Sequence, residues 1–235
     1  MYYAFDTAYM WIYILMIAAF IVSLIAQISV QSNFNKYSKV KSSSGMTGAQ
    51  VANRLLSSQN VTNVAVGQIA GNLTDHYNPS NKTLGLSEPV YGSSSLSATA
   101  VAAHECGHAM QHAYGYGPLK IRTAIVPVVN FSSRISWIFL IIGLFFNNST
   151  ASIFLNIGII LFSAAVVFQL ITLPVEFDAS RRGLDLLESD GILTRDEVKG
   201  ASAVLKAAAM TYVAAACVSI LQLIRLILIS RSRSD

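Results

Sequence analysis

Three long stretches of the chain contain no Asp, Glu, Lys or Arg: residues 7–35, 135–175 and 207–224. A transmembrane helix needs about 20 consecutive, mostly apolar residues, so each stretch can cross a bilayer. The middle stretch has room for two helices, and Asn147-Asn148-Ser149-Thr150 predicts a tight turn between them. We therefore predict four membrane spans, at about residues 8–30, 126–146, 151–173 and 207–229.

Polar segments between the spans divide the chain further. The predicted parts are an N-terminal transmembrane anchor (1–30), a polar domain (31–125), a transmembrane helical hairpin (126–173), a helical segment (174–206) and a C-terminal transmembrane helix with its tail (207–235). We expect the anchor to be retained, because Met1 to Met10 lacks the Lys or Arg that begins a cleaved signal peptide. Pro174 is expected to end the third span, with a new helix starting behind it.

The polar domain shows both helix and strand patterns. In chain order they predict a helix from Thr47 or Gly48, strands in 61–73 and 82–87 with a turn at 75–81 between them, and a helix from Ser95 or Ser97 to about Tyr114. The predicted fold class is a mainly α integral membrane protein, with about four transmembrane helices and a small α+β domain.

Composition and charge agree with a membrane protein and argue against a soluble domain and a nucleic-acid-binding protein. Hydrophobic residues make up 53% of the chain and charged residues 12%, whereas a soluble domain has about 25% charged residues. The net charge of +4 is modest and the basic residues flank the spans, so nucleic-acid binding is not expected. Most Lys and Arg lie between 36 and 206, which predicts a multi-pass cell-membrane protein with both polar segments in the cytoplasm. Cys106 and Cys217 are the only cysteines, so no disulfide framework is expected.

The segment His104-Glu105-Cys106-Gly107-His108 has the spacing of a catalytic metal site. Two histidines four residues apart on a helix project from the same face, so both imidazoles can reach one ion. Glu105 lies one step around the helix, where it can activate a zinc-bound water as general base. The chain has no other charged residue between Glu88 and Lys120, and three ionisable side chains in so apolar a helix need a partner. We therefore expect catalytic Zn²⁺ at this segment.

A catalytic zinc needs a third protein ligand while one position stays open. His112 lies about 12 Å along the helix from His104, so it is expected to support the site or the fold without binding the ion. Cys106 is on the wrong side of the helix. Glu176 is the better candidate for the third ligand, because it follows the third span on the same side of the membrane that is expected for His104. The alternative interpretation is that the Glu176 carboxylate only stabilises the start of a helix. Asp178 would point elsewhere, and it is expected to orient a ligand by hydrogen bonding.

Several segments together resemble the YugP-like neutral zinc metallopeptidase family of bacteria. They are Lys36-Tyr37-Ser38-Lys39-Val40, Gly45-Met46-Thr47-Gly48, Asp75-His76-Tyr77-Asn78-Pro79, Leu86-Ser87-Glu88-Pro89-Val90-Tyr91 and His104-Glu105-Cys106-Gly107-His108. The resemblance implies a membrane gluzincin, distantly similar to HtpX-like peptidases, with a zincin-like catalytic domain in 31–125. By the same resemblance, Glu176 matches the third ligand of a Glu-x-x-x-Asp motif. Ser180 replaces the later Asp of that motif, and Asp178 is the candidate to substitute for it.

Two features of substrate binding follow from the same resemblance. An extended substrate is expected to pair with an edge strand above the zinc helix, and the candidate strand is Thr83-Leu84-Gly85-Leu86-Ser87. An oxyanion stabiliser is also expected, and the spacing leaves it open among His76, Tyr77 and Tyr91.

The leading hypothesis is a membrane-bound zinc metalloendopeptidase that hydrolyses peptide bonds of protein substrates at or near the membrane. Zn²⁺ would be held by His104, His108 and Glu176, with Glu105 activating the water. The expected partners are membrane-associated protein or peptide substrates and the lipid bilayer; the sequence leaves the substrate and the oligomeric state open. The alternative is a non-catalytic zinc-binding membrane scaffold or chaperone-like protein, whose structural zinc would have four protein ligands.

Overall fold

The computed structural model describes residues 2–146 and 149–233. The described elements are the helices α1 (Tyr2–Tyr37), α2 (Gly48–Ser58), α3 (Glu88–Tyr91), α4 (Leu96–Ala113), α5 (Gly117–Phe145), α6 (Ser149–Ser189) and α7 (Arg195–Ser232), and the strands β1 (Ala65–Ile69), β2 (His76–Asn78) and β3 (Thr83–Ser87). The protein is therefore mainly α with a small α+β part, as predicted.

Four of these helices are long and apolar enough to cross a membrane: α1, α5, α6 and α7. Their windows of highest hydropathy contain few side chains that are buried within the protein, between 11% and 22% of each window. Apolar side chains that no protein covers suit a lipid surrounding. The prediction of four apolar spans is confirmed. Of the predicted turn between α5 and α6, Asn147 and Asn148 lie outside the described residues.

The chain divides into two compact units. The first holds the described parts of Met1–Ile25, Ile121–Leu173 and Thr211–Asp235, and the second holds Ala26–Lys120 and Pro174–Met210. The first unit contains most of the apolar length of the four long helices. The second contains the sheet, the short helices and every candidate metal ligand.

In the first unit, α5 and α6 pack closely because glycines stand where the two helices meet. A Cβ built on Gly143 would lie 2.6 Å from the backbone nitrogen of Leu155, and one built on Gly158 would lie 2.8 Å from the side chain of Leu140. Small residues that let backbones approach are the usual device for packing apolar helices in lipid. The guanidinium of Arg233 donates to the carbonyls of Gly143 and Leu144 in the last turn of α5 and to that of Phe146 just after it.

In the second unit, local capping fixes where α2 begins. Thr47 is the N-cap: its hydroxyl accepts from the backbone N–H of Gln50 at 3.3 Å, and the Gln50 side chain accepts from the Thr47 N–H at 2.9 Å. The apolar face of α2 then packs against α4 and the sheet in one hydrophobic core. Its fully buried members include Val51, Ala52, Leu55, Leu84, Leu86, Val90, Ala102, Ala103 and Cys106.

The sheet has the order β1-β3-β2. β3 pairs in parallel with β1 from Ala65↔Thr83 to Ile69↔Ser87, and antiparallel with β2 from His76↔Gly85 to Asn78↔Thr83. Two expectations are therefore wrong. The segment 75–81 is not only a turn, because its middle forms β2. Thr83–Ser87 is not an edge strand, because β1 pairs with all of it and β2 pairs with Thr83–Gly85 on the other side, so a substrate cannot add along that stretch without displacing a neighbour.

The expectation that Pro174 ends a helix is also wrong, because α6 contains Pro174 in its interior. A proline inside a helix removes one backbone hydrogen bond and crowds the preceding turn, but other contacts can offset this cost. Here the turns that follow Pro174 are packed on α4. A Cβ on Gly107 would collide with the carbonyl of Ala179, and a Cβ on Gly183 would lie 2.6 Å from the carbonyl oxygen of Ala103. The two helix backbones touch at both places, and this contact holds α6 in its helical path.

We predict that Gly107→Ala destabilises the protein. The new methyl group would overlap backbone atoms that cannot rotate away, and overpacking of this kind costs about 1–3 kcal/mol or more. Thermal unfolding of the detergent-solubilised protein measures the effect. Gly92→Ala is the matched control, because a Cβ there meets no atom within 4 Å. Equal melting temperatures for the two variants would contradict the close helix contact.

Candidate metal centre

Helix α4 brings the two motif histidines together. Ser95 caps the helix by accepting from the N–H of Ala98 at 3.3 Å, and the helix continues unbroken to Ala113. His104 and His108 lie one turn apart on it, with ring centroids 4.7 Å from each other. The predicted helix and the shared face of the two histidines are confirmed, and of the two predicted caps, Ser95 and Ser97, the structure has Ser95.

Glu176 on α6 completes a group of three candidate ligands, in which the two histidines are partly buried and Glu176 is buried. One Glu176 carboxylate oxygen lies 3.3 Å from His104 Nε2 and 3.5 Å from His108 Nε2. The ligand atoms all fall within 4.8 Å of one another, and Glu176 is only 2% exposed. Two imidazole nitrogens and one carboxylate oxygen fit Zn²⁺, since this is the protein ligand set of one class of catalytic zinc site that leaves a fourth position for water. Among the described residues, no other His, Cys, Asp or Glu joins the group.

The Nδ1 atoms of both histidines are bound on the far side of the rings. His104 Nδ1 lies 3.0 Å from Ser180 Oγ, and His108 Nδ1 lies 3.1 Å from Gln111 Oε1. Both rings thus turn Nε2 toward Glu176. Such partners of metal-binding histidines fix the ring orientation and the tautomer.

Gln111 is fully buried, and its amide can face only one way. Its Nε2 donates to the Val175 carbonyl at 2.8 Å and to Asp178 Oδ2 at 3.0 Å, and both of these atoms are acceptors. Its Oε1 must therefore accept from His108, which places the ring proton on Nδ1 and leaves the Nε2 lone pair free for an ion. Sequence reasoning missed Gln111. The available signal was a glutamine three residues after His108 in an otherwise apolar helix.

Asp178 contacts neither histidine directly. Besides Gln111, it accepts from Arg182 Nε and Arg181 Nη2, each at 2.5 Å. Its carboxylate reaches His108 through Gln111, whereas the hydroxyl of Ser180 contacts His104 itself. The sequence left Ser180 and Asp178 as alternatives for orienting a ligand, and the structure gives each a link to a different histidine.

The charges around the histidines favour a cation. Burial alone lowers the pKa of His108, but its hydrogen bond to Glu176 and the charges of Glu105 and Glu176 outweigh burial, so the pKa is raised above its ordinary value. Glu105 is 7% exposed and next to His104 in the chain. Two carboxylates beside two imidazoles make an electronegative site that suits a divalent cation.

The remaining sequence candidates lie outside the ligand group. Cys106 points into the core, where its thiol contacts the Ala52 carbonyl at 3.6 Å and burial raises its pKa, so it stays a neutral thiol. His112 Nδ1 is bound to the hydroxyl of Tyr77 at 2.8 Å. His76 is exposed, and its Nδ1 contacts the carbonyl of Thr74 at 2.9 Å.

Comparison with known proteins agrees with this geometry. The sequence model of the family described as "putative neutral zinc metallopeptidase" matches residues 12–231. The chain is 49% identical over 221 residues to the protein named "Putative membrane protease YugP" of Bacillus subtilis (strain 168), which covers 94% of this chain and 97% of that protein. No solved structure matches the chain.

Taken with the four apolar helices, these similarities indicate a bacterial membrane protein. Taken with the group formed by His104, His108 and Glu176, they identify its cofactor as zinc. The chain belongs to this zinc metallopeptidase family.

Proposed function

We propose that the protein is a membrane-bound zinc endopeptidase of the gluzincin type, which hydrolyses peptide bonds of protein substrates at or near the membrane. The observation that carries the proposal is the convergence of three candidate ligand atoms within 4.8 Å, with Glu105 adjacent to His104 in the chain. In this proposal His104, His108 and Glu176 hold the ion. When bound, zinc supplies Lewis-acid chemistry, which makes water a competent nucleophile near neutral pH and polarises the scissile carbonyl.

Glu105 is the proposed general base. It is nearly buried on α4 between the two histidines in sequence, and its carboxylate interacts electrostatically with His108. It takes a proton from the attacking water and passes it to the amine that leaves when the peptide bond breaks. General acid–base catalysis by one positioned side chain contributes about 10²–10⁴-fold to a rate.

Ser180, Gln111 and Asp178 are proposed to position the ligands. Ser180 holds the His104 ring, and Gln111 holds the His108 ring in the tautomer that frees Nε2. Asp178 fixes the amide of Gln111, and Arg181 and Arg182 neutralise the charge of Asp178. His112, which was expected to support the site or the fold, is instead proposed to take part in a neighbouring cavity that it lines.

The membrane topology is a further part of the proposal. Four crossings would place 31–125 and 174–206 on the same side of the bilayer, and the excess of Lys and Arg in these segments favours the cytoplasm. The substrate would then be a membrane-associated protein or peptide that is cleaved on the cytoplasmic side.

The first test is Glu105→Gln. We expect zinc content equal to that of the wild type and a fall in cleavage of about 10²-fold or more, because the ligands remain and the general base is lost. The measurement compares cleavage fragments from a detergent-extracted bacterial membrane proteome, with and without a chelator. Glu188→Gln is the matched control, because its side chain is half exposed on α6. Proteolysis retained in Glu105→Gln would overturn the assignment of the base.

The second test is Glu176→Gln, which replaces an anionic ligand with a weak neutral one. We expect the protein to be purified with little or no zinc, while Glu188→Gln keeps one ion per chain. Metal analysis measures the content, and X-ray absorption on the wild type counts the ligands. Three protein ligands and one water agree with catalysis. Four protein ligands would favour the non-catalytic scaffold.

The third test concerns Gln111→Leu, which preserves bulk but removes the acceptor for His108. Loss of a residue that orients a metal ligand weakens binding by about 10–100-fold, and we expect a loss in that range. Zinc affinity is measured by competition with a fluorescent chelator. Gln68→Leu, at an exposed site on β1, is the control. Unchanged affinity in a folded Gln111→Leu protein would remove Gln111 from the proposal.

A further inference from the structure

A cavity of about 340 Å³ opens beside the C-terminal half of α4 in the second unit. None of the three proposed zinc ligands lines it. Its wall comes from the segment after α2, from Tyr77 on β2, from Lys82 just before β3, and from α4 itself. The lining residues are Asn60, Val61, Thr62, Asn63, Val64, Tyr77, Lys82, Ala109, His112 and Ala113. Its volume is at the lower end of the range for small-ligand sites.

The cavity follows the same stripe of α4 that carries Glu105. Ala109 is four residues after Glu105 and His112 is seven residues after it, so all three project from one side of the helix. At 1.5 Å per residue, Ala109 and His112 lie about 6 Å and 10 Å further along the axis. An extended peptide advances about 3.3 Å per residue, so a substrate held at Glu105 reaches this cavity within two or three residues.

The lining has one sign of charge. Lys82 is the only formally charged residue in it, and no Asp or Glu contributes. In the described part of the chain, Lys82 has no carboxylate within ion-pair distance, in contrast to Arg181, Arg182 and Lys199, which are all paired. An exposed cation at the mouth of a cavity without acids favours an anionic group in the ligand.

The rest of the wall is suited to a compact polar group. Tyr77 and His112 are joined by their 2.8 Å hydrogen bond, which fixes both rings at one side of the cavity. Thr62 and the two asparagines offer further hydrogen-bonding groups. Ala109 and Ala113 are small and leave the space open, with Val61 buried beneath. These features fit a carboxylate on a short aliphatic stem.

We propose that this cavity binds a carboxylate of the peptide substrate, with Lys82 as the cation that recognises it. The carboxylate would come from an Asp or Glu side chain or from a free peptide C-terminus. This proposal rests on the peptidase function proposed above, and it makes Lys82 a residue that determines specificity.

The test uses labelled octapeptides that share one core. In the first pair, one peptide carries Glu and the other Gln at each position that flanks the cleaved bond. In the second pair, one peptide ends in a free carboxylic acid and the other in an amide. Binding is measured by fluorescence polarisation on the zinc-loaded Glu105→Gln protein, and cleavage is measured on the zinc-loaded wild type. We expect the carboxylate peptide of one pair to bind about 10-fold better than its neutral partner, as a charge-assisted hydrogen bond predicts. The pair that shows the preference identifies the source of the carboxylate.

The variants make the proposal falsifiable. Lys82→Gln should reduce the preference to near one, and Lys82→Glu should favour peptides with Lys at the same position. Lys39→Gln, which removes an exposed lysine outside the cavity, should leave the preference unchanged. Three outcomes would overturn the proposal. The protein with Lys82 intact could bind both members of each pair equally, the preference could survive Lys82→Gln, or no peptide could bind at all. Cleavage of the membrane proteome by wild type and not by Glu105→Gln would still support the peptidase function in each of these cases.

Discussion

The candidate site depends on the direct contact between the backbones of α4 and α6. Gly107 and Gly183 face each other's helix without a side chain, and any Cβ at either place would overlap the opposite backbone. Zinc sites tolerate errors in ligand distance of only about 0.2 Å. A larger residue at either glycine would separate the helices by more than this margin. The glycines therefore set the distance at which Glu176 meets His104 and His108.

Around this contact, the buried polar groups form a connected set. Asp178 is held between Gln111 and two arginines, and Gln111 in turn orients the His108 ring by a hydrogen bond. A buried charge without partners would cost several kcal/mol, whereas one that is paired and hydrogen-bonded can be retained. The same groups that make burial of Asp178 tolerable also orient a ligand. Stability and ligand geometry thus rest on the same hydrogen bonds.

The features that could be predicted from the sequence are those that local periodicity determines. Four apolar spans, the Ser95 cap and the shared face of the two histidines all arise from residues close together in the chain. The errors come from long-range pairing. The central position of β3 depends on β1 and β2, and the helical path through Pro174 depends on packing against α4.

Gln111 shows the same limit inside the site. Its partners Val175 and Asp178 are 64 and 67 residues away in sequence, so the local spacing from His108 could mark Gln111 as a candidate but could not show what fixes its amide. The proposed third ligand, Glu176, was accessible to sequence reasoning because the apolar spans restrict which polar segments can meet. The cavity beside Lys82 was not, because its wall is assembled from four separate segments.

The two histidines have different partners, and this difference affects how an ion can be captured. Gln111 offers His108 only an acceptor, so Nδ1 of that ring carries a proton. Ser180 offers His104 a hydroxyl, which can rotate and can either donate or accept. The Ser180 hydroxyl can therefore serve either tautomer of His104. Only the His108 ring therefore presents a bare Nε2 to an ion through its hydrogen bonding alone, whereas the partner of His104 leaves the choice of tautomer open.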